Sequence, residues 1–201
     1  MTTKLLLFII SISILFSCNK KRETLFTRLP TETTGITFTN RIIETNARNV
    51  FNFEYLYNGG GVALGDFNND KLVDVYFTGN QVENKLYLNK GIKEGESIHF
   101  EDVTDKSNTT GEGKWCSGAT VIDINNDNLL DIYVCASVSK LADRLANLMY
   151  VNQGVDKNGV PIFKEMAKEY GIADTTHTTN AAFFDCDNDG DLDLFLLVNE
   201  M

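Results

Sequence analysis

The sequence predicts an all-β fold made of about two and a half four-stranded antiparallel units placed side by side. Three observations predict it. The first is an acidic nonapeptide that occurs three times: Asp66-Phe-Asn68-Asn-Asp70-Lys-Leu72-Val-Asp74, Asp123-Ile-Asn125-Asn-Asp127-Asn-Leu129-Leu-Asp131, and Asp185-Cys-Asp187-Asn-Asp189-Gly-Asp191-Leu-Asp193. The second is its spacing. The copies start 57 and 62 residues apart and sit in the same apolar frame. The third is that apolar residues from Gly35 onward alternate or run in short blocks, as they do in strands, with no long helical period.

The elements follow in chain order. Lys4 precedes an apolar run, Leu5 to Phe16, that is too short to span a bilayer comfortably. It ends in Leu15-Phe16-Ser17-Cys18, which resembles a bacterial lipobox whose cysteine is acylated. Residues 1–18 are therefore expected to be a lipoprotein signal peptide with lipidation at Cys18. An ordinary signal peptide or a short anchor is the other reading. Either one sends the chain out of the cytoplasm; the lipoprotein reading places it at a bacterial outer membrane or cell surface, with the lipid anchor as its only membrane contact. Residues 19–33 are polar, basic at Lys20-Lys21-Arg22 and without period, as a flexible tether would be.

Residues 34–201 hold the repeats, at approximately 59–104, 115–167 and, incomplete, 178–201. Ile36–Thr39 and the aromatic run Phe51, Phe53, Tyr55, Tyr57 alternate and read as strands. In each repeat a short strand rich in small residues comes first: Gly61–Gly65, Gly118–Ile122 and Asn180–Phe184. The acidic loop follows, then a second strand: Val73–Phe77, Leu130–Val134 and Leu192–Leu196. A third strand ends in Asn89-Lys-Gly91 or Asn152-Gln-Gly154, and a fourth covers His99–Val103 or Ile162–Met166. Lys140–Asn147 suggests a helical turn inserted in the second repeat. Four short antiparallel strands per unit, with small residues on a crowded first strand, describe a β-propeller blade. A propeller closes with about four to eight blades, so the chain is expected to be a partial β-propeller, the N-terminal part of a longer one.

The loops point to metal. Positions 1, 3, 5 and 9 carry side-chain oxygens: Asp66, Asn68, Asp70 and Asp74; Asp123, Asn125, Asp127 and Asp131; Asp185, Asp187, Asp189 and Asp193. Position 7 (Leu72, Leu129, Asp191) is expected to offer its backbone carbonyl. A hard dication that takes roughly six to eight oxygens, calcium above all, relieves the repulsion among these acids. Up to three ions are expected. The net charge of −10 follows largely from the loops, which hold eleven of the 28 acids; three dications would bring it to −4. The acidity needs no basic partner and disfavours nucleic acid. An EF-hand is excluded by position 12, which is Phe77, Val134 and Leu196 where that loop needs an acid.

These units resemble FG-GAP/VCBS repeats, the calcium-bearing blades of integrin-α-like propellers. The resemblance is closest to bacterial secreted proteins of the ASPIC/UnbV, cartilage-acidic-protein-like group. It is carried by Gly60-Gly61-Val-Ala-Leu-Gly-Asp66, Asn84-Lys-Leu-Tyr-Leu-Asn-Lys-Gly91, Phe100-Glu-Asp-Val-Thr104, Trp115, Gly118 and Ala181-Ala-Phe-Phe-Asp185. It implies a binding or scaffold module for a protein or glycan, without a general catalytic set. The chain departs from the repeat at Lys71 and Asn128, where glycine is favoured, and at Asn68 and Asn125, which replace a carboxylate. The third loop is therefore expected to bind calcium most tightly and the first most weakly.

A propeller enzyme acting on glycans is the alternative. The two histidines, His99 and His177, fall in different repeats with no nucleophile signature, which argues against catalysis here. Tyr55, Tyr57, Trp115 and Tyr170 are either binding aromatics or packing. Cys186 matches Phe67 and Ile124 and reads as a small buried hydrophobe. Cys116 and Cys135 lie on neighbouring strands, and their register decides whether a disulfide is feasible.

Overall fold

The computed structural model describes residues 25–92, 97–139 and 141–199. The signal segment with Cys18, residues 19–24 of the tether, and Glu200-Met201 lie outside the described residues. Two four-stranded sheets and one strand pair follow one another along the chain. The first contains β1 (Val62–Gly65), β2 (Asp74–Phe77), β3 (Lys85–Ile92) and β4 (Ile98–Asp102). The second contains β5 (Trp115–Ile122), β6 (Asp131–Ser137), β7 (Leu148–Val155) and β8 (Pro161–Glu165); β9 (Thr178–Phe184) pairs with β10 (Asp193–Val198). Sequential neighbours pair antiparallel throughout. Among the described residues three one-turn helices accompany them: α1 (Thr31–Thr34), α2 (Thr104–Ser107) and α3 (Ala142–Leu145), the last inside the stretch expected to turn. This is a partial β-propeller.

The first strands β1, β5 and β9 stand side by side, and small residues let them do so. A Cβ on Gly61 would lie 2.8 Å from the Ser117 carbonyl oxygen, and one on Gly118 would lie 2.5 Å from that of Thr179. No side chain fits at either place.

Two apolar layers fill the gaps between sheets. Tyr76, Leu86, Leu88 and Val103 of the first sheet meet Cys116, Ile132, Val134, Tyr150 and Phe163 of the second. Tyr133, Cys135, Met149 and Val151 face Ala181, Phe183, Leu194 and Leu196 of the third. Alternate residues of β6 thus enter opposite layers, and the whole strand is buried. Each such aliphatic side chain contributes roughly 2 kcal/mol on burial. The cysteine question is settled by the same alternation. Cys116 pairs in register with Ala136 and joins one layer, while Cys135 joins the other. Both thiols are free and buried.

Three expectations need correction. Phe51–Tyr57 is a series of turns: the Phe53 N–H donates to the Asn49 carbonyl at 2.9 Å, and the Asn49 side chain accepts the Phe51 N–H at 3.0 Å. Asparagine side chains here bond their own backbone and outcompete a ladder. Leu56 is the residue of this stretch that is fully buried, while Phe51 is 97% exposed. Ile36–Thr39 also forms no ladder; it lies on the first sheet, with Phe38 stacked on Phe77 at 5.0 Å. Cys186 is exposed. Its counterpart Phe67 is covered by Phe163 of the next sheet, with ring centroids 6.1 Å apart, and the described residues provide no sheet beyond β10 to cover Cys186.

Candidate metal centre

Each acidic loop joins the first strand of its sheet to the second, so all three sit at one rim. The loops fold through the same bonds. In the first, Asp66 accepts the N–H groups of Asp70 (3.0 Å) and Lys71 (2.7 Å). In the second, Asp123 accepts those of Asp127 (3.0 Å) and Asn128 (2.8 Å). In the third, Asp185 accepts those of Asp189 (3.2 Å) and Gly190 (3.1 Å). Position 5 accepts the N–H of position 7 in every copy: Leu72 to Asp70, Leu129 to Asp127, Asp191 to Asp189. Position 9 accepts the N–H of position 2 at 2.9 Å each time: Phe67 to Asp74, Ile124 to Asp131, Cys186 to Asp193. The backbone turns left-handed at positions 4 and 6, and position 6 is Lys71 (φ 71°), Asn128 (φ 65°) or Gly190 (φ 94°). That region suits glycine and tolerates asparagine; it costs lysine more.

The third loop brings Asp185, Asp187 and Asp193 together, each with a ligand oxygen within 4.8 Å of the others. Such a set is placed to hold a metal ion, and its all-oxygen character selects a hard one. Asp189 pushes the Asp191 carboxyl up, because it can accept a hydrogen bond from the protonated form and its charge opposes ionisation. In the other two loops position 3 is an amide that donates to position 5, Asn68 to Asp70 at 3.0 Å and Asn125 to Asp127 at 2.8 Å. The amide hydrogens occupy oxygens that a cation would take.

Position 9 differs in burial. Asp74 and Asp131 are fully buried, and each takes a second N–H from the third strand, Asn89 at 2.8 Å and Asn152 at 2.7 Å. Burial pushes the Asp74 carboxyl up to about 6, against the pull of the Asn89 and Phe67 N–H groups and with help from the Asp70 and Asp66 charges. Asp131 is raised for the same reasons. A dication in the loop would favour the charged form.

Asn89 and Asn152 are site residues that sequence reasoning passed over. They stood in view as the Asn-x-Gly turn, and recurrence at the same strand end was the signal. Their side chains also tie the turn, each accepting the following glycine N–H and donating to the carbonyl of Val73 or Leu130. The histidines stand apart from the loops: His99 lies beside the Thr33 carbonyl, and His177 accepts the Val138 N–H at 3.3 Å.

Residues 47–134 match the model of the FG-GAP-like repeat. The match spans the first sheet, the first two acidic loops, β5 and the start of β6, which is less than half of the chain. No curated protein matches the sequence.

Proposed function

We propose that this chain is a calcium-stabilised binding or scaffold module that works outside the cytoplasm. On this reading Cys18 carries a lipid anchor, residues 19–33 lift the blades off an outer-membrane or cell-surface layer, and the blades engage a protein or glycan without catalysing a reaction. The nearest kin would be the ASPIC/UnbV, cartilage-acidic-protein-like secreted proteins. Calcium would be held by positions 1, 3, 5 and 9 of each loop, with the position 7 carbonyl, and would supply charge neutralisation and rigidity. The observation that supports this most is the convergence of Asp185, Asp187 and Asp193 on one locus. Calcium binds the folded loop and so stabilises the fold. Thermal unfolding tests it. Millimolar calcium is expected to raise the midpoint by roughly 5 °C or more over the chelated protein. An identical midpoint in chelator and calcium overturns the metal reading.

A further inference from the structure

The rim opposite the acidic loops carries a second feature. A cavity of about 390 Å³ opens between the β2–β3 connection, the start of β5 and the β6–β7 connection. Three cations line it: Arg48, Lys114 and Arg144. Their anchors are neutral groups. Lys114 donates to the Asp143 carbonyl. Arg144 donates to the carbonyls of Glu112 (3.0 Å) and Gly113 (3.1 Å). Arg48 rests on the Trp115 ring, 5.3 Å from its centroid. The salt bridges among the described residues involve other lysines. Lys114 is 8% exposed and, among the described residues, has no carboxylate partner. Among the described residues of the lining Glu83 is the one acid against three cations, an excess of about two positive charges in a chain of net −10.

Backbone strain marks the same place. Val138 lines this cavity and the adjoining one of about 470 Å³, and its φ is 56°. A β-branched residue in the left-handed region is a true outlier, and such outliers cluster at binding and switch sites. The bond from the Val138 N–H to His177 holds the strained turn.

We propose that this cavity binds a small organic anion, a carboxylate or phosphate carried on a sugar-sized carbon body. The cations take the oxyanion, and guanidinium suits both kinds. Trp115 and Val138 give the carbon body an apolar wall, which an inorganic ion would not use. The volume lies within the range of small-molecule sites. This deepens the binding-module reading and rests on it, but the site needs no metal.

Calorimetric titration of the full chain tests the proposal, with D-glucuronate, glucose 6-phosphate, glucose and inorganic phosphate as probes. Both organic anions are expected to bind, and glucose is not. Binding by only one of them still supports the site and identifies the headgroup it reads. Lys114→Met and Arg48→Gln are each expected to weaken binding roughly tenfold. Should Lys114→Met fail to fold, Arg48→Gln and Arg144→Gln, both at exposed positions, decide the matter. The proposal is overturned if neither organic anion gives heat, if glucose or inorganic phosphate binds as tightly as they do, or if the variants bind like the parent. It is also overturned if an acidic peptide binds here and the sugars do not. Titration in chelator separates the two readings: binding that persists while calcium leaves the melting point unmoved supports this site and removes the metal reading alone.

Discussion

The first and third acidic loops share one backbone frame and differ in what surrounds it. In both, position 1 collects the N–H groups of positions 5 and 6, and position 9 collects that of position 2. Yet Asp74 is fully buried and held a second time by Asn89, while Asp193 is exposed. Asn68 turns an amide onto Asp70, where Asp187 adds a carboxylate to a converging set. The nonapeptide therefore folds its own turn. Burial is contributed by the third strand, and the charge available to a cation is decided at position 3.

The largest effect should come from breaking the buried end. Asp74→Ala strands two buried N–H donors and is expected to cost roughly 2–5 kcal/mol in urea unfolding of the metal-free protein. Asp193→Ala, with one exposed donor, should cost about 1 kcal/mol or less. Equal losses would remove the distinction between the loops.

A middle effect concerns affinity. On the proposed calcium reading, Asp187→Asn should weaken binding at the third loop and Asn125→Asp should tighten it at the second, each by about tenfold. Terbium luminescence with calcium competition would read both. If the aspartate gained at Asn125 changes nothing, position 3 does not set the order.

The smallest effect is conformational. Lys71→Gly relieves a left-handed lysine and is expected to stabilise the metal-free chain by about 0.5–1 kcal/mol. Asn128→Gly should gain less, since asparagine already tolerates that backbone. A loss of stability at Lys71 would show that its side chain does more than endure the turn.

Local regularity was legible in the chain. Acids at fixed positions and strands of period two are written within a dozen residues, and the order of loop then strand between Asp66 and Phe77 reads correctly from them. Phe51–Tyr57 shows the limit of the same logic, because its aromatic alternation is genuine while Asn49 and Asn52 bend the backbone that carries it. Cys186 shows another, since its burial depends on a neighbouring sheet and not on its own loop. The cationic cavity had no signature at all: Arg48, Lys114 and Arg144 are far apart in sequence and meet only once the sheets are stacked.

Phe67 has a wider consequence. Its N–H belongs to the first loop, its carbonyl accepts the Asn152 amide of the next sheet at 2.8 Å, and its ring lies on Phe163. On the calcium reading proposed above, an ion between Asp66 and Asp74 would act on a seam as well as on a hairpin. The loop turn and the joint between two adjacent sheets therefore share one residue, so a change that unseats Phe67 disturbs both.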